Sequence, residues 1–300
     1  MATFGVFLGQ DRPVGDVLGW ATRFDEAGVD SLWVADHLAN PFDADGPWYD
    51  GWTLLGALAT TTQRCRLGPL VSTFVYHPPL HMARLAATVD ALSDGRLDLG
   101  LGMGGAAVCR AAAGVPDDGP GLADRFERGL VALLEILGGT PFPLPPVPAL
   151  AGRGQPDVVR WTTPVVQSPR PPIVIGGQGP RALAAAARHG DRWNLWNPFA
   201  SRSPRGLDAA LRTMLERFDE ACAAAGRTDR VPRSILLDFH DGLRPGGRAE
   251  LADLVARLYG LGFDECIAVS WMDWVDGGLA RPVEDLLTFV GEDLPVVVGR

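Results

Sequence analysis

Two groups of residues in this chain have types and spacings that suit chemistry. The first is Asp36-His37, which closes the apolar run SLWVA (Ser31 to Ala35). Imidazole titrates near neutral pH and an adjoining carboxylate can orient it, so the pair suits proton transfer. Neighbouring strand residues point to opposite faces, so the two share a site only because the strand is ending there. The second group is Gly176-Gly177-Gln178, followed by Pro180 and Arg181. Glycine turns the backbone with positive φ, proline is tolerated in a first helical turn, and the alanines that follow favour a helix whose first amides lack internal partners. Together with Arg181 those amides make a cradle for phosphate. The same residues also spell an ordinary strand-to-helix turn, and local grammar does not choose between the two. His77 and His81 stand one helical turn apart, but with no HxH or HExxH pattern no metal site is expected.

Composition removes several classes. The chain has 300 residues, 47% of them hydrophobic, enough for a sizeable core. Its net charge of -9 and the absence of any basic run argue against nucleic acid as a partner. All 27 basic residues are arginine, which excludes lysine Schiff bases and Walker-type phosphate loops. The four cysteines, Cys65, Cys109, Cys222 and Cys266, are widely spaced and signal neither zinc nor a disulfide framework. No apolar run is long enough to span a membrane and the first ten residues lack the features of a signal peptide, so the expected location is the cytoplasm.

Elements that can position the two groups follow from apolar period and from Gly and Pro punctuation. Strands are predicted at 3–8, 31–35, 66–72, 96–101, 172–175, 192–196, 234–239 and 265–269, alternating with helices at 14–27, 52–61, 78–92, 124–137, 180–188, 207–222, 251–258 and 283–290. Such alternation points to a single α/β domain over 1–300, a closed (β/α)8 TIM barrel, with an open doubly wound sheet as its competitor. Residues 138–171 are rich in proline, show no period and form an insertion before the fifth strand, either a lid over the barrel mouth or a surface loop. In a barrel the working face lies where strands end. The residues there are Asp36-His37, the run from Ser72 to His77, the glycines from Gly102 to Gly105, the run from Gly176 to Arg181, Trp196-Asn197, His240-Asp241 and Trp271-Met272. This lining, rich in aromatics and glycine and poor in paired carboxylates, suits a flat aromatic ligand with a phosphate tail better than hydrolysis.

The segments SLWVADH (Ser31 to His37), WTLLGALA (Trp52 to Ala59), RLGPLVSTFVYHPPLHMARLAATVDALSDGRLDLGLGMG (Arg66 to Gly104) and PIVIGGQGPRALAAAARHGDRWN (Pro172 to Asn194) together resemble the bacterial luciferase-like flavin oxidoreductase family. Within it the chain is most similar to the branch using the deazaflavin coenzyme F420. The resemblance covers most of residues 3 to 200. It implies a ring held over the barrel mouth, supported by a non-prolyl cis peptide near Leu70-Val71 with Ser72 beside it. Gly102, Met103 and Gly104 would flank the ring, and Gly176, Gly177, Gln178 and Arg181 would bind the phosphate. Asp36 and His37 match the pair kept near the reacting carbon, with His37 handling the proton. Trp48, His77 and Trp196 are expected to wall the substrate pocket.

The implied function is hydride transfer between coenzyme F420 and a small, fairly apolar molecule. An FMN-dependent monooxygenase and a non-catalytic flavin-binding relative are the alternatives. The sugar-phosphate dehydrogenase branch carries an acid where this chain has Gly105, and the lysines expected around a sugar phosphate are missing, so that substrate is not expected. The run from Ala106 to Arg110 also departs from the glutamate and aromatic usual there. Apolar residues on the second and third helices (Leu54, Leu55, Leu58, Leu80, Leu85) exceed one face's need, which suggests a homodimer.

Overall fold

The structure is a computed structural model that describes residues 2–41, 43, 45–104, 107–115, 119–143, 158–159, 163–196, 206–237, 247–270 and 282–299. Its elements are β1 (Thr3–Phe7), α1 (Val14–Ala27), β2 (Ser31–Val34), α2 (Gly51–Thr61), β3 (Arg66–Pro69), β4 (Ser72–Thr73), α3 (Pro79–Leu92), β5 (Leu99–Gly102), α4 (Ala107–Ala112) and α5 (Gly119–Leu137). There follow β6 (Phe142–Pro143), β7 (Val158–Val159), β8 (Ile173–Gly176), α6 (Pro180–His189), β9 (Arg192–Trp196), α7 (Leu207–Ala224), β10 (Arg233–Leu237), α8 (Arg248–Leu261), β11 (Glu265–Val269), α9 (Pro282–Thr288), a π turn (Phe289–Asp293) and α10 (Leu294–Val298).

Short apolar strands buried along their length pair in parallel around a ring, in the order β3-β2-β1-β11-β10-β9-β8-β5-β4. β3 and β4 are two halves of one strand, interrupted at Leu70–Val71, where the peptide bond is cis. The ring closes between β3 and the approach to β5: Leu67 N donates to Arg96 O at 2.9 Å and Asp98 N to Leu67 O at 2.8 Å. Nine strand segments thus fill the eight positions of a (β/α)8 barrel, as the alternation of elements predicts. Trp193, Phe4, Phe218 and Phe289 are fully buried between sheet and helices, and Trp33 is buried inside the barrel, where its Nε1 donates to Ser31 Oγ at 2.8 Å.

The end where strands begin is plugged by charge. Arg192 Nη1 lies 2.7 Å from Glu265 Oε2 and Arg66 Nη2 lies 2.6 Å from Asp98 Oδ1, while Ser31 Oγ donates to Glu265 Oε1 at 2.5 Å. Burial pushes the Glu265 carboxyl up, against the pull of Arg192 and of the Ser31 hydroxyl.

Several elements differ from expectation. The run after the fourth strand folds as α4, and the proline-rich stretch contributes β6 and β7, an antiparallel pair of two-residue strands too short to show a period. Half of the expected lid, residues 144–157 and 160–162, lies outside the described residues. Its C-terminal end is anchored, because the amides of Val166 and Gln167 both donate to Asp90, at 2.6 and 3.1 Å. Leu54, Leu55 and Leu58 are buried within the chain's own core, so that helix keeps little of the apolar excess expected of it. Among the described residues no helix is long and apolar enough to cross a membrane.

One carboxylate ties α1 to the approach to β3. Asp25 accepts from the amides of Gln63, Arg64 and Cys65 at 2.8, 3.0 and 2.7 Å. Burial opposes its charge, but these amides outweigh burial and hold the carboxyl below its ordinary value. Its contribution is therefore full above the ordinary aspartate range and lost as pH falls through the lowered value. Asp25→Ala is expected to cost about 2–3 kcal/mol in urea unfolding at neutral pH, with the buried Cys65 amide and two partly buried ones losing their acceptor. Part of that loss, the charged share, should disappear in strong acid.

Candidate active site

At the opposite end, where the strands finish, a cavity of about 1050 Å³ opens. Its floor is set by Val71. The side chain of Val71 rises between β5 and β8 because both strands carry glycine there: a Cβ on Gly102 would sit 2.5 Å from Val71 Cγ2, and one on Gly176 would sit 3.0 Å from Val71 Cγ1. Gly100, one layer lower, could not carry a Cβ at all, since Pro69 O would lie 1.9 Å away. Glycine on two facing strands thus lets one branched side chain stand in the barrel mouth.

The N-terminus of α6 forms part of the wall. Gly177, at φ 145, turns the chain out of β8, held by its amide to Asn194 O at 3.3 Å and by Trp193 Nε1 donating to its carbonyl at 2.8 Å. Among the described residues Gly179 caps α6 with no side-chain acceptor, and residues Gly179 to Ala182 all face the cavity. This is the arrangement that receives an anion. The Gln178 side chain donates to Trp196 O, which fixes the turn against β9. Arg181 also faces the cavity, but its guanidinium is paired with two carboxylates of α5, Glu127 at 2.9 Å and Asp124 at 2.5 Å. An anion seeking that side chain competes with both.

Asp36 and His37 follow β2 and both line the cavity. They are not paired with one another. Asp36, 4% exposed, accepts from Ser72 Oγ at 2.7 Å and lies 3.0 Å from His77 Nε2. The side chain of His37 instead packs near Trp48, with ring centroids 6.4 Å apart, and its buried Nδ1 has no hydrogen-bond partner among the described residues. Burial lowers the His37 pKa, with Asp36 opposing, so the ring is neutral at neutral pH and able to accept a proton.

Of the residues that the resemblance assigned to coenzyme, catalysis or substrate, all line this cavity except Ser72 and His77, which stand behind Asp36 as its hydrogen-bond partners. Asn197, His240, Asp241, Trp271, Met272 and Gly105 lie outside the described residues. Sequence reasoning passed over Phe7, Leu236 and Val269, which add apolar wall from the ends of β1, β10 and β11. Their signal is position alone, at a strand's last residue or one before it. Behind the wall, Arg110 of α4 turns inward, 6% exposed, and donates to Gly104 O at 2.9 Å. No cluster of His, Cys, Asp or Glu among the described residues is arranged to hold a metal.

The profile of luciferase-like monooxygenases matches residues 1–240, and the chain belongs to that family. An F420-dependent glucose-6-phosphate dehydrogenase of Beutenbergia cavernae is 31% identical over 223 residues, 71% of this chain and 60% of that protein. The chain therefore spans about three-fifths of that curated relative's length. Among solved structures, the F420-dependent tetrahydromethanopterin reductase of Methanopyrus kandleri superposes with a TM-score of 0.76 at 15% identity, covering 99% of both chains. An F420-dependent secondary alcohol dehydrogenase in complex with an F420-acetone adduct gives 0.74 at 15% identity, covering 97% of this chain and 99% of its own. At such identity these two speak for the fold.

The tight approach at Gly102 has a measurable consequence. Gly102→Ala drives a methyl into Val71 and is expected to cost about 1–3 kcal/mol in chemical unfolding. Adding Val71→Ala should recover most of that loss, whereas purely additive losses would show that the two positions do not touch.

Proposed function

We propose that the protein is a coenzyme F420-dependent oxidoreductase that transfers a hydride between the deazaflavin and a small, fairly apolar organic molecule. The observation that carries this reading is a single cavity joining a glycine-walled apolar floor, an uncapped helix N-terminus and an unpartnered histidine nitrogen. Its volume of about 1050 Å³ suits a tricyclic ring with a phosphate tail and a small second reactant. Family membership supports the same reading, as does the naming of the Beutenbergia relative for F420.

Val71, Met103 and the glycines of β5 and β8 would hold the ring, and the first turn of α6 with Gln178 the phosphate. When bound, the coenzyme supplies or accepts the hydride at a ring carbon. This chain's own residues do the rest. The apolar wall excludes water, Trp48 and Trp196 bound the space left for substrate, and neutral His37 takes or returns the substrate's proton. Asp36, held by Ser72 and His77, places a carboxylate beside the reacting groups. The glucose 6-phosphate named for the relative is not carried over, because the lysines expected around a sugar phosphate are missing from this chain. We place the enzyme in the cytoplasm as a homodimer.

Titrating the apoprotein with F420 and with FMN tests the reading. F420 binding with turnover and no oxygen consumption is expected. FMN binding with oxygen uptake would reverse the assignment to the monooxygenase alternative. His37→Ala should lower kcat by about a hundredfold or more with coenzyme affinity little changed. An unaltered rate would leave His37 without its role. Because burial lowers its pKa, the limb of the pH profile reporting proton acceptance by His37 should fall off below the ordinary histidine range, not within it.

A further inference from the structure

A line of polar side chains crosses the barrel wall behind Asp36. Trp52 Nε1 donates to Ser72 Oγ at 2.8 Å, Ser72 Oγ donates to Asp36 Oδ2 at 2.7 Å, and His77 Nε2 lies 3.0 Å from that same oxygen. Two donors thus hold one carboxylate oxygen, and neither Ser72 nor His77 is on the cavity wall. The line does not stop at His77. Its buried Nδ1 has no hydrogen-bond partner among the described residues, and its ring packs edge-on against His81 with centroids 5.3 Å apart. His81, in the first turn of α3, is exposed. With Trp52 and Arg84 it lines a separate groove of about 260 Å³ on the outer face of α2 and α3.

A hydride-transfer site needs a proton delivered or removed while bound ligands keep water out of the mouth. Asp36 is itself almost fully buried, so the mouth is a poor route for that proton once it is filled. Two imidazoles in series lead from the cavity carboxylate to the outer groove, and imidazole can take a proton on one nitrogen while giving one from the other.

We propose that Asp36, His77 and His81 conduct protons between the cavity and the outer groove of α2 and α3, through the barrel wall. This rests on reading the cavity as a hydride-transfer site. In the inward direction His77 Nε2–H gives its proton to Asp36, which hands it to the bound reactant; His77 Nδ1 takes one from His81, His81 is reprotonated from solvent, and a turn of the His77 ring restores an N–H toward Asp36; the outward direction is the reverse. No electron moves along the line. Over one turnover the substrate gains a hydride and a proton and the reduced coenzyme gives up the same, so exchange with water is balanced. The charged and titratable groups facing the line are Arg84 on α3, Tyr76 beside His77, and His37 on the cavity side. Burial, together with His77 and Arg84, keeps His81 toward its neutral form, which can accept a proton from water.

His77→Gln keeps a neutral N–H donor for Asp36 but cannot pass a proton, and His77→Ala leaves room that free imidazole can refill. Turnover is expected to fall by about tenfold or more in both, with coenzyme Kd within about twofold of wild type. Added imidazole should restore His77→Ala and not His77→Gln. In the apoprotein, ¹⁵N spectra of the His77 ring should show the proton on Nε2, a preference that Asp36→Ala removes. Wild-type turnover in His77→Gln, or equal losses that imidazole does not touch, overturns the line and leaves His77 a packing residue. A wild-type protein that binds no deazaflavin sinks the functional reading instead, and the ring spectra then decide the line alone.

Discussion

Val71 occupies space at the centre of the barrel mouth that two facing strands leave empty, and the site depends on that allocation. Gly102 and Gly176 on β5 and β8 carry no side chain where a methyl would strike it. The interruption between β3 and β4 places Val71 at this point instead of within the ladder. A flat apolar floor in a barrel is otherwise hard to build, since inward-facing side chains normally interdigitate and fill the interior.

Around that floor the polar groups are few, and each has a separate support. The α6 turn is locked by Trp193 and Gln178 against β9, and Asp36 by Ser72 and His77. His37 is held by packing against Trp48. Supports drawn from different strands mean that the helix terminus, the carboxylate and the imidazole keep their relative positions only while the barrel stays closed. The fold is in this sense the positioning device for the chemistry.

The barrel was legible because its strands are short, apolar and punctuated by glycine, and because their spacing admits few other architectures. The strand-end rule also led to Asp36, His37, Gly102 to Gly104 and Gly176 to Arg181, which share the cavity. Partnership was not legible. Asp36 stands next to His37 in the chain and yet bonds His77, far along it, because the turn after β4 folds back beneath β2. Adjacency along a strand end says nothing about which groups the tertiary fold brings together. Likewise Arg181 reads as a free cation until α5 is packed beside α6, where Asp124 and Glu127 reach it. The two-residue strands β6 and β7 are shorter than any period that could reveal them.

The ionic plug at the strand starts separates what keeps the barrel closed from what it works on. Arg192, Glu265, Arg66 and Asp98 knit four strands together at the far end from the mouth. Loops at the mouth can then lengthen, shorten or change side chains without loosening the closure. Descendants of one scaffold are free to drift toward new reactants at small thermodynamic expense, and the departures after β5 are the kind of change such a design tolerates.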